Sequence, residues 1–182
     1  MAKPTRTTKK ADPGKNVKAA GKKPSAKISK ADLDEMFKAA VAGSEEFQVS
    51  EGEDYTKALE HFNKVINLLD AIIAIDPTYR DAVNYKGMML YGCGNVSEAI
   101  KCFNAILEMN PADKEALNNK GIALYGLGQD EEALKCVEAA ISLDRRYADA
   151  YMNKAVILAG LGQLEEADKA IKKARALDLI VG

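Results

Sequence analysis

Three features of this sequence could do chemistry. "YGLGQDEEA", residues 125–133, sets a Gly-x-Gly ahead of an acidic, helix-prone stretch. Such a loop can cradle a phosphate on its backbone N–H groups. His61 is the only histidine and so the only ready base. Cys93, Cys102 and Cys136 could serve redox chemistry or a metal. Each fails on its surroundings. A dinucleotide fingerprint needs a preceding strand and a third glycine three residues on, where this chain has Glu131, a poor neighbour for phosphate. His61 lies between Glu60 and Phe62 in a helical stretch and reads as a surface residue, and no Ser/His/Asp set can be assembled without it. The cysteines are odd in number and include no C-x-x-C, so with one histidine a Cys/His zinc site is not expected. Acid pairs such as Glu131/Glu132 read as charges at a helix start. No catalytic residue, cofactor or metal is assigned, and the chain is expected not to be an enzyme.

The elements that hold these residues explain the glycines. Sliding the chain by 34 residues aligns three segments: "DAVNYKGMMLYGCGNVSEAIKCFNAILEMNP" from Asp81, "EALNNKGIALYGLGQDEEALKCVEAAISLDR" from Glu115 and "DAYMNKAVILAGLGQLEEADKAIKKARALDL" from Asp149. Gly-x-Gly recurs as Gly92/Gly94, Gly126/Gly128 and Gly160/Gly162. A feature present in every repeat is architecture, whereas a phosphate loop would occur once. Each segment reads as two helices. In the middle one, Ala116, Leu117, Lys120, Gly121, Leu124 and Tyr125 fall at helical spacing, and the helix closes at Gly126-Leu127-Gly128. The second helix begins with acids and carries Ala133, Leu134, Val137, Ala140, Ile141 and Leu143 as its apolar face. Small residues recur where helix axes must approach: Gly87, Gly121 and Ala155 on first helices, Ala99, Ala133 and Ala167 on second helices. Pro77 and Pro111 stop second helices. Cys102 and Cys136, one period apart, read as small buried apolar side chains.

Gly87, Leu90, Gly94, Ala99, Phe103, Leu107 and Pro111, with their equivalents one and two periods later, closely resemble the tetratricopeptide repeat (TPR) family. The resemblance covers about residues 81–178. It departs at Arg145 and Leu179, where proline is usual, and at Val137 and Ile171, where an aromatic is common. It implies an all-α fold, a right-handed α-solenoid of stacked antiparallel helix pairs. It also implies a concave groove, lined by first helices, that binds an extended peptide or a helix of a partner protein. The groove residues would be Asp81, Asn84, Tyr85, Met88 and Tyr91, then Glu115, Asn118, Asn119, Ile122 and Tyr125, then Asp149, Met152, Asn153 and Val156. Asparagine amides can bond a peptide backbone as donor and acceptor, and the carboxylates either favour a neutral or basic segment or, as Asp81, Glu115 and Asp149, only serve helix starts. The asparagines Asn119 and Asn153 are expected to be central contacts that bear little on stability. TPR domains that clamp a chaperone's C-terminal carboxylate use lysine and asparagine. Here Asn119 matches, but Asp149 stands where a lysine would be required and Asn153 replaces a further basic residue, which argues against that role.

Upstream the repeat is distorted. "YTKALEHFNKVINLLDAIIAIDP", residues 55–77, matches a second helix through Ala58, Leu59, Phe62, Val65 and Ile66, with Pro77 seven residues late. Seven residues make about two helical turns, so a long second helix is expected, with Leu69, Ile72 and Ile73 on the same face. Its first helix is expected over 31–42, with a Ser29/Asp32 capping box and a stripe of Leu33, Met36, Phe37, Ala40 and Val41. Residues 43–53 are expected to form an acidic loop. The organisation read from the sequence is a tail, 1–30; an irregular helical unit, 31–80; and three regular units at about 81–113, 114–147 and 148–182.

The tail holds ten basic residues and one acid, about +9, which leaves about −10 for residues 31–182 within a net charge of −1. With almost no apolar residues it is expected to be disordered, and without interleaved aromatics it could attract nucleic acid only non-specifically. That sets the alternative function: a nucleic-acid- or ribosome-associated protein tethered by its basic tail. No run of 18 apolar residues and no secretory pattern occurs, so a cytoplasmic protein away from membranes is expected. At the other end, Ile171, Ala174, Leu177, Leu179, Ile180 and Val181 form an apolar surplus on the last helix, and a homodimer through that helix is expected to cover it.

Overall fold

The computed structural model describes residues 28–45 and 55–181 of the chain, and the side chains after Leu177 lie outside that description. The described residues form eight helices and no strand. They are α1 (Lys30–Glu45), α2 (Tyr55–Ile75), α3 (Arg80–Gly92), α4 (Val96–Met109), α5 (Lys114–Gly126), α6 (Asp130–Leu143), α7 (Ala148–Gly160) and α8 (Leu164–Val181). Each pairs with the next, and the pairs stack into an α-solenoid. Residues 1–27, most of the tail, and 46–54, most of the acidic loop, lie outside the described residues.

The helices start and stop for local reasons that repeat. Gly94, Gly128 and Gly162 take φ of 80°, 72° and 76°, a region closed to most side chains. That turn lets two backbone amides fold back on the helix end: Gly94 N–H donates to the Tyr91 carbonyl at 2.9 Å and Asn95 N–H to that of Leu90 at 2.9 Å. The same pair of bonds closes α5 and α7. Second helices end on an Asx turn. Asp76, Asn110 and Asp144, one period apart, accept on Oδ1 from the backbone N–H two residues on, at 2.9, 3.2 and 2.9 Å. At the other end of the chain the expected capping box forms. Ser29 N–H donates to Asp32 Oδ2 at 2.8 Å, and Asp32 N–H donates to Ser29 Oγ at 3.2 Å.

The core is a ladder with the period of the sequence. Val65, Leu69 and Ile72 of α2 are buried, and so are Ala99, Phe103 and Ile106 of α4, then Ala133, Val137 and Ala140 of α6. Ala82, Ala116 and Ala150 do the same on α3, α5 and α7. The ladder places the irregularity of α2 at its N-terminal end. Its last fourteen residues are in phase with α4, and the extra seven precede them. The acidic loop expected from residue 43 begins later, because Gly43, Ser44 and Glu45 continue α1. Ser44 is held there by its hydroxyl, which donates to the Val41 carbonyl at 2.6 Å.

Close approach accounts for the small residues. A Cβ on Gly87 would lie 2.6 Å from Phe103 Cε1, and one on Gly121 would lie 2.6 Å from Val137 Cγ2 and 3.0 Å from the Ala133 carbonyl oxygen. Two expectations need correction. Leu143, assigned to the core face of α6, is 49% exposed at the helix end, where no neighbouring helix covers it. Ala174 and Leu177, counted in the apolar surplus of the last helix, are already buried within the chain.

Candidate functional site

The first helices α3, α5 and α7 present one face together. Residues at i, i+3/i+4 and i+7 share a helix face, so each helix contributes the same register. The rows are Asp81/Glu115/Asp149, Asn84/Asn118/Met152, Tyr85/Asn119/Asn153 and Met88/Ile122/Val156, with Tyr91 and Tyr125 closing the first two helices. The apolar row is open: Met88 is 49% and Val156 47% exposed, with Ile122 half-buried between them. Met152, at 41%, lies beside it.

At the centre is a hollow of about 220 Å³, lined by Met88, Tyr91, Phe103, Asn119, Ile122 and Asn153. Its floor is Phe103, which the missing side chain at Gly87 lets come up between α3 and α4. Sequence patterning marks Phe103 only as a core residue. Tyr91 is placed by a second small residue, since a Cβ on Gly126 would meet its ring at 3.3 Å. Tyr125 sits against Gly160 in the same way, at 2.9 Å. In Gly126/Gly128 and Gly160/Gly162 the first glycine therefore admits the tyrosine of the preceding unit and the second makes the turn, whereas Gly92 has open space around it.

The asparagines are not all free. Asn119 Nδ2 donates to Asn84 Oδ1 at 3.0 Å, and Asn153 Nδ2 donates to Asn118 Oδ1 at 2.9 Å. These bonds tie α3 to α5 and α5 to α7. Asn118, expected on the groove surface, is only 4% exposed and acts inside the stack. Asn119 and Asn153 keep their own carbonyl oxygens and a second N–H, now held in fixed orientation. These bonds argue against the expectation that they bear little on stability, since removing Asn153 would leave the buried Asn118 acceptor without its donor. Tyr85 also turns away from the groove. Its hydroxyl hydrogen-bonds Ser44, and its ring meets Phe37 edge-on at 5.9 Å.

One cation organises the acidic row, and sequence reasoning missed it. Arg80, at the start of α3, forks onto Asp113 through Nε to Oδ2 at 2.8 Å and Nη2 to Oδ1 at 2.9 Å. The same guanidinium reaches Glu115, and also Asp81 at 3.0 Å. Asp113 is the N-cap of α5, accepting from Ala116 N–H at 2.9 Å. Arg80 holds its carboxyl below the usual carboxylate range. An arginine one period ahead of two acids was the available signal. Asp149 is exposed and has no ion-pair partner among the described residues. The acids are felt nearby: burial first, then Glu115 and Asp149, push the Tyr147 hydroxyl up to about 12.

Other recesses are less suited. One of about 450 Å³ between α1 and α3 is lined by Lys30, Asp34, Asp76 and Asp81, but its carboxylates are engaged: Asp34 accepts from Tyr79 at 2.6 Å, Asp76 caps Thr78 and Asp81 pairs with Arg80. Another of about 330 Å³ lies among α6, α7 and α8, where Lys154 pairs with Glu138 at 2.7 Å. Cys102 and Cys136 pack against the core, and burial pushes both thiols up, away from reactive thiolate. Among the described residues no group of three or more His, Cys, Asp or Glu is placed to hold a metal ion. No described helix is long and apolar enough to cross a membrane.

Comparison with known families decides what this array is. Tetratricopeptide repeat profiles match residues 82–113, 114–147 and 148–178, together more than half of the chain. The chain belongs to the tetratricopeptide repeat family. Its TPR fold recurs in solved structures. MamA 41-end from Desulfovibrio magneticus RS-1 has a TM-score of 0.64 at 18% identity, covering 82% of this chain and 77% of that one. The first TPR of Spaghetti (RPAP3), bound to the HSP90 peptide SRMEEVD, has a TM-score of 0.52 at 26% identity, covering 54% of this chain and 78% of that one. The second TPR of Spaghetti, bound to the same peptide, has a TM-score of 0.51 at 24% identity, covering 54% and 91%. No curated protein matches the sequence.

Proposed function

We propose that this TPR protein is a non-catalytic interaction module whose groove on α3, α5 and α7 binds a segment of another protein. The observation that carries the reading is the hollow lined by Met88, Tyr91, Phe103 and Ile122, with the Asn119 and Asn153 amides fixed at its edge. An open apolar row flanked by oriented amides offers what an extended segment needs: a seat for a side chain and partners for its backbone. Because the amides are already oriented by bonds between helices, little freedom is lost when a segment binds. At about 220 Å³ the hollow is below the usual size of a small-molecule pocket, which favours a single side chain as its occupant. Spaghetti TPRs hold a peptide on the same fold, which adds to this reading.

The test is a pull-down with mass spectrometry from native extract, using the full chain and an Ile122→Lys variant, with and without nuclease. Proteins retained by the first and lost by the second, at equal melting temperature and in the presence of nuclease, support the groove. Partners that survive Ile122→Lys but vanish with nuclease would instead point to attachment through the basic tail.

A further inference from the structure

We infer that the groove selects a partner segment in which a large apolar side chain lies within about three residues of a lysine or arginine. The inference rests on the groove reading above and adds charge and spacing to it. The row Asp81, Glu115 and Asp149 reads as three equal acids in the sequence. In the structure Arg80 binds Asp81 and Glu115, as well as Asp113. Asp149 is left as an exposed carboxylate with no ion-pair or side-chain hydrogen-bond partner among the described residues.

Its position matters. Asp149 lies four residues before Asn153 on α7, about 6 Å along the axis. Asn153 lines the hollow. The free carboxylate therefore stands one helical turn from the seat of the apolar side chain. An extended segment advances about 3.3 Å per residue, and a lysine or arginine stem reaches farther than one such step, so a cation one to three residues from the anchor reaches Asp149. None of the residues lining the hollow is basic, so an acidic segment would meet Asp149 without compensation. The longer-range field agrees, since residues 31–182 carry about −10 and draw cationic segments in. The occupant is thus an apolar-basic stretch of a partner protein.

A library of random 12-residue peptides displayed on phage would be selected against the full chain, Asp149→Asn and Ile122→Lys. The wild-type selection should enrich lysine or arginine at least threefold within three positions of an enriched leucine, methionine or phenylalanine. Asp149→Asn should lose the basic preference and keep the apolar one, while Ile122→Lys should lose both. Met88→Glu, at a half-exposed position, replaces Ile122→Lys if that variant melts lower. With a synthetic peptide of the selected sequence, changing its basic residue to alanine should weaken binding about threefold on wild type, the effect of an exposed ion pair, and hardly at all on Asp149→Asn. Enrichment of acidic residues, or a basic preference that persists in Asp149→Asn, overturns the charge inference and leaves the groove standing. An empty selection, or one indifferent to both groove variants, removes the groove as well. Displacement of the selected peptides by a peptide of residues 1–27 would make the chain's own basic segment the occupant and overturn the assignment to a partner.

Discussion

Gly121 shows how little room a single position has. Its missing Cβ is replaced in space by Val137 Cγ2, a buried side chain that cannot move aside. Gly121→Ala should therefore destabilise the fold by about 1–3 kcal/mol, the usual range for overpacking. In a double-mutant cycle by urea unfolding, Val137→Ala should cost less in the Gly121→Ala background than in the wild-type chain, since truncating the valine frees the space that the added methyl takes. Equal costs would mean that the helices do not meet at this point. Asn153 makes the opposite kind of demand. Asn153→Ala should lower stability by about 1–3 kcal/mol, because Asn118 Oδ1 is buried and loses its donor. A variant as stable as wild type would show that the amide pair contributes nothing.

Helix ends set the next scale. Gly94, Gly128 and Gly162 bend each first helix into its partner, and Asp76, Asn110 and Asp144 turn each second helix into the next unit. Gly128→Ala should cost about 1 kcal/mol through strain at positive φ, with no change at the groove. Asp113 joins two elements at once, as N-cap of α5 and partner of Arg80 on α3. Its folded carboxyl ionises more readily than an ordinary one, chiefly through the bond from Arg80. A depressed folded pKa stabilises above the unfolded value, near pH 4, and that contribution is lost as pH falls through the folded value. Unfolding between pH 3 and 7 should show this acid limb. Asp113→Asn, which can still cap but not pair, should flatten it. An unchanged limb would assign it to other carboxylates; Asp32, Asp76 and Asp144 shift in the same direction.

A solenoid holds together through neighbours only, so stability should fall towards its ends. α5 and α6 have a unit on each side, whereas α8 packs chiefly on α7 among the described helices. Hydrogen exchange should accordingly be slowest in α4 to α6 and fastest in α1 and α8. Uniform protection along the chain would mean that the array unfolds as one unit. The end of α8 also bears on self-association. Ala174 and Leu177 are buried within the chain and so are not available to the two-fold contact expected at that end. Light scattering over a concentration series, with Leu179 and Val181 changed to charged residues, is the measurement that decides it.

The amino-acid sequence by itself determined the repeat, the helix pairs and the glycine turns. Those features are local: 3.6-residue spacing, a left-handed turn that needs glycine, and a 34-residue period are written in consecutive residues. It also placed Gly87 and Gly121 at close approaches, since a missing side chain inside a regular apolar face has few other reasons. Only the tertiary structure decided how the groove residues divide. Asn118 and Asn119 are adjacent in the chain, yet Asn118 is buried against α7 and Asn119 lines the hollow. The same stacking engaged Asp81 and Glu115 on Arg80 and left Asp149 without an ion-pair partner among the described residues. Helical spacing fixes which residues share a face of one helix. How far the next helix is staggered and rotated against it depends on the volumes packed between them, and that offset chooses the partner of each side chain one repeat away.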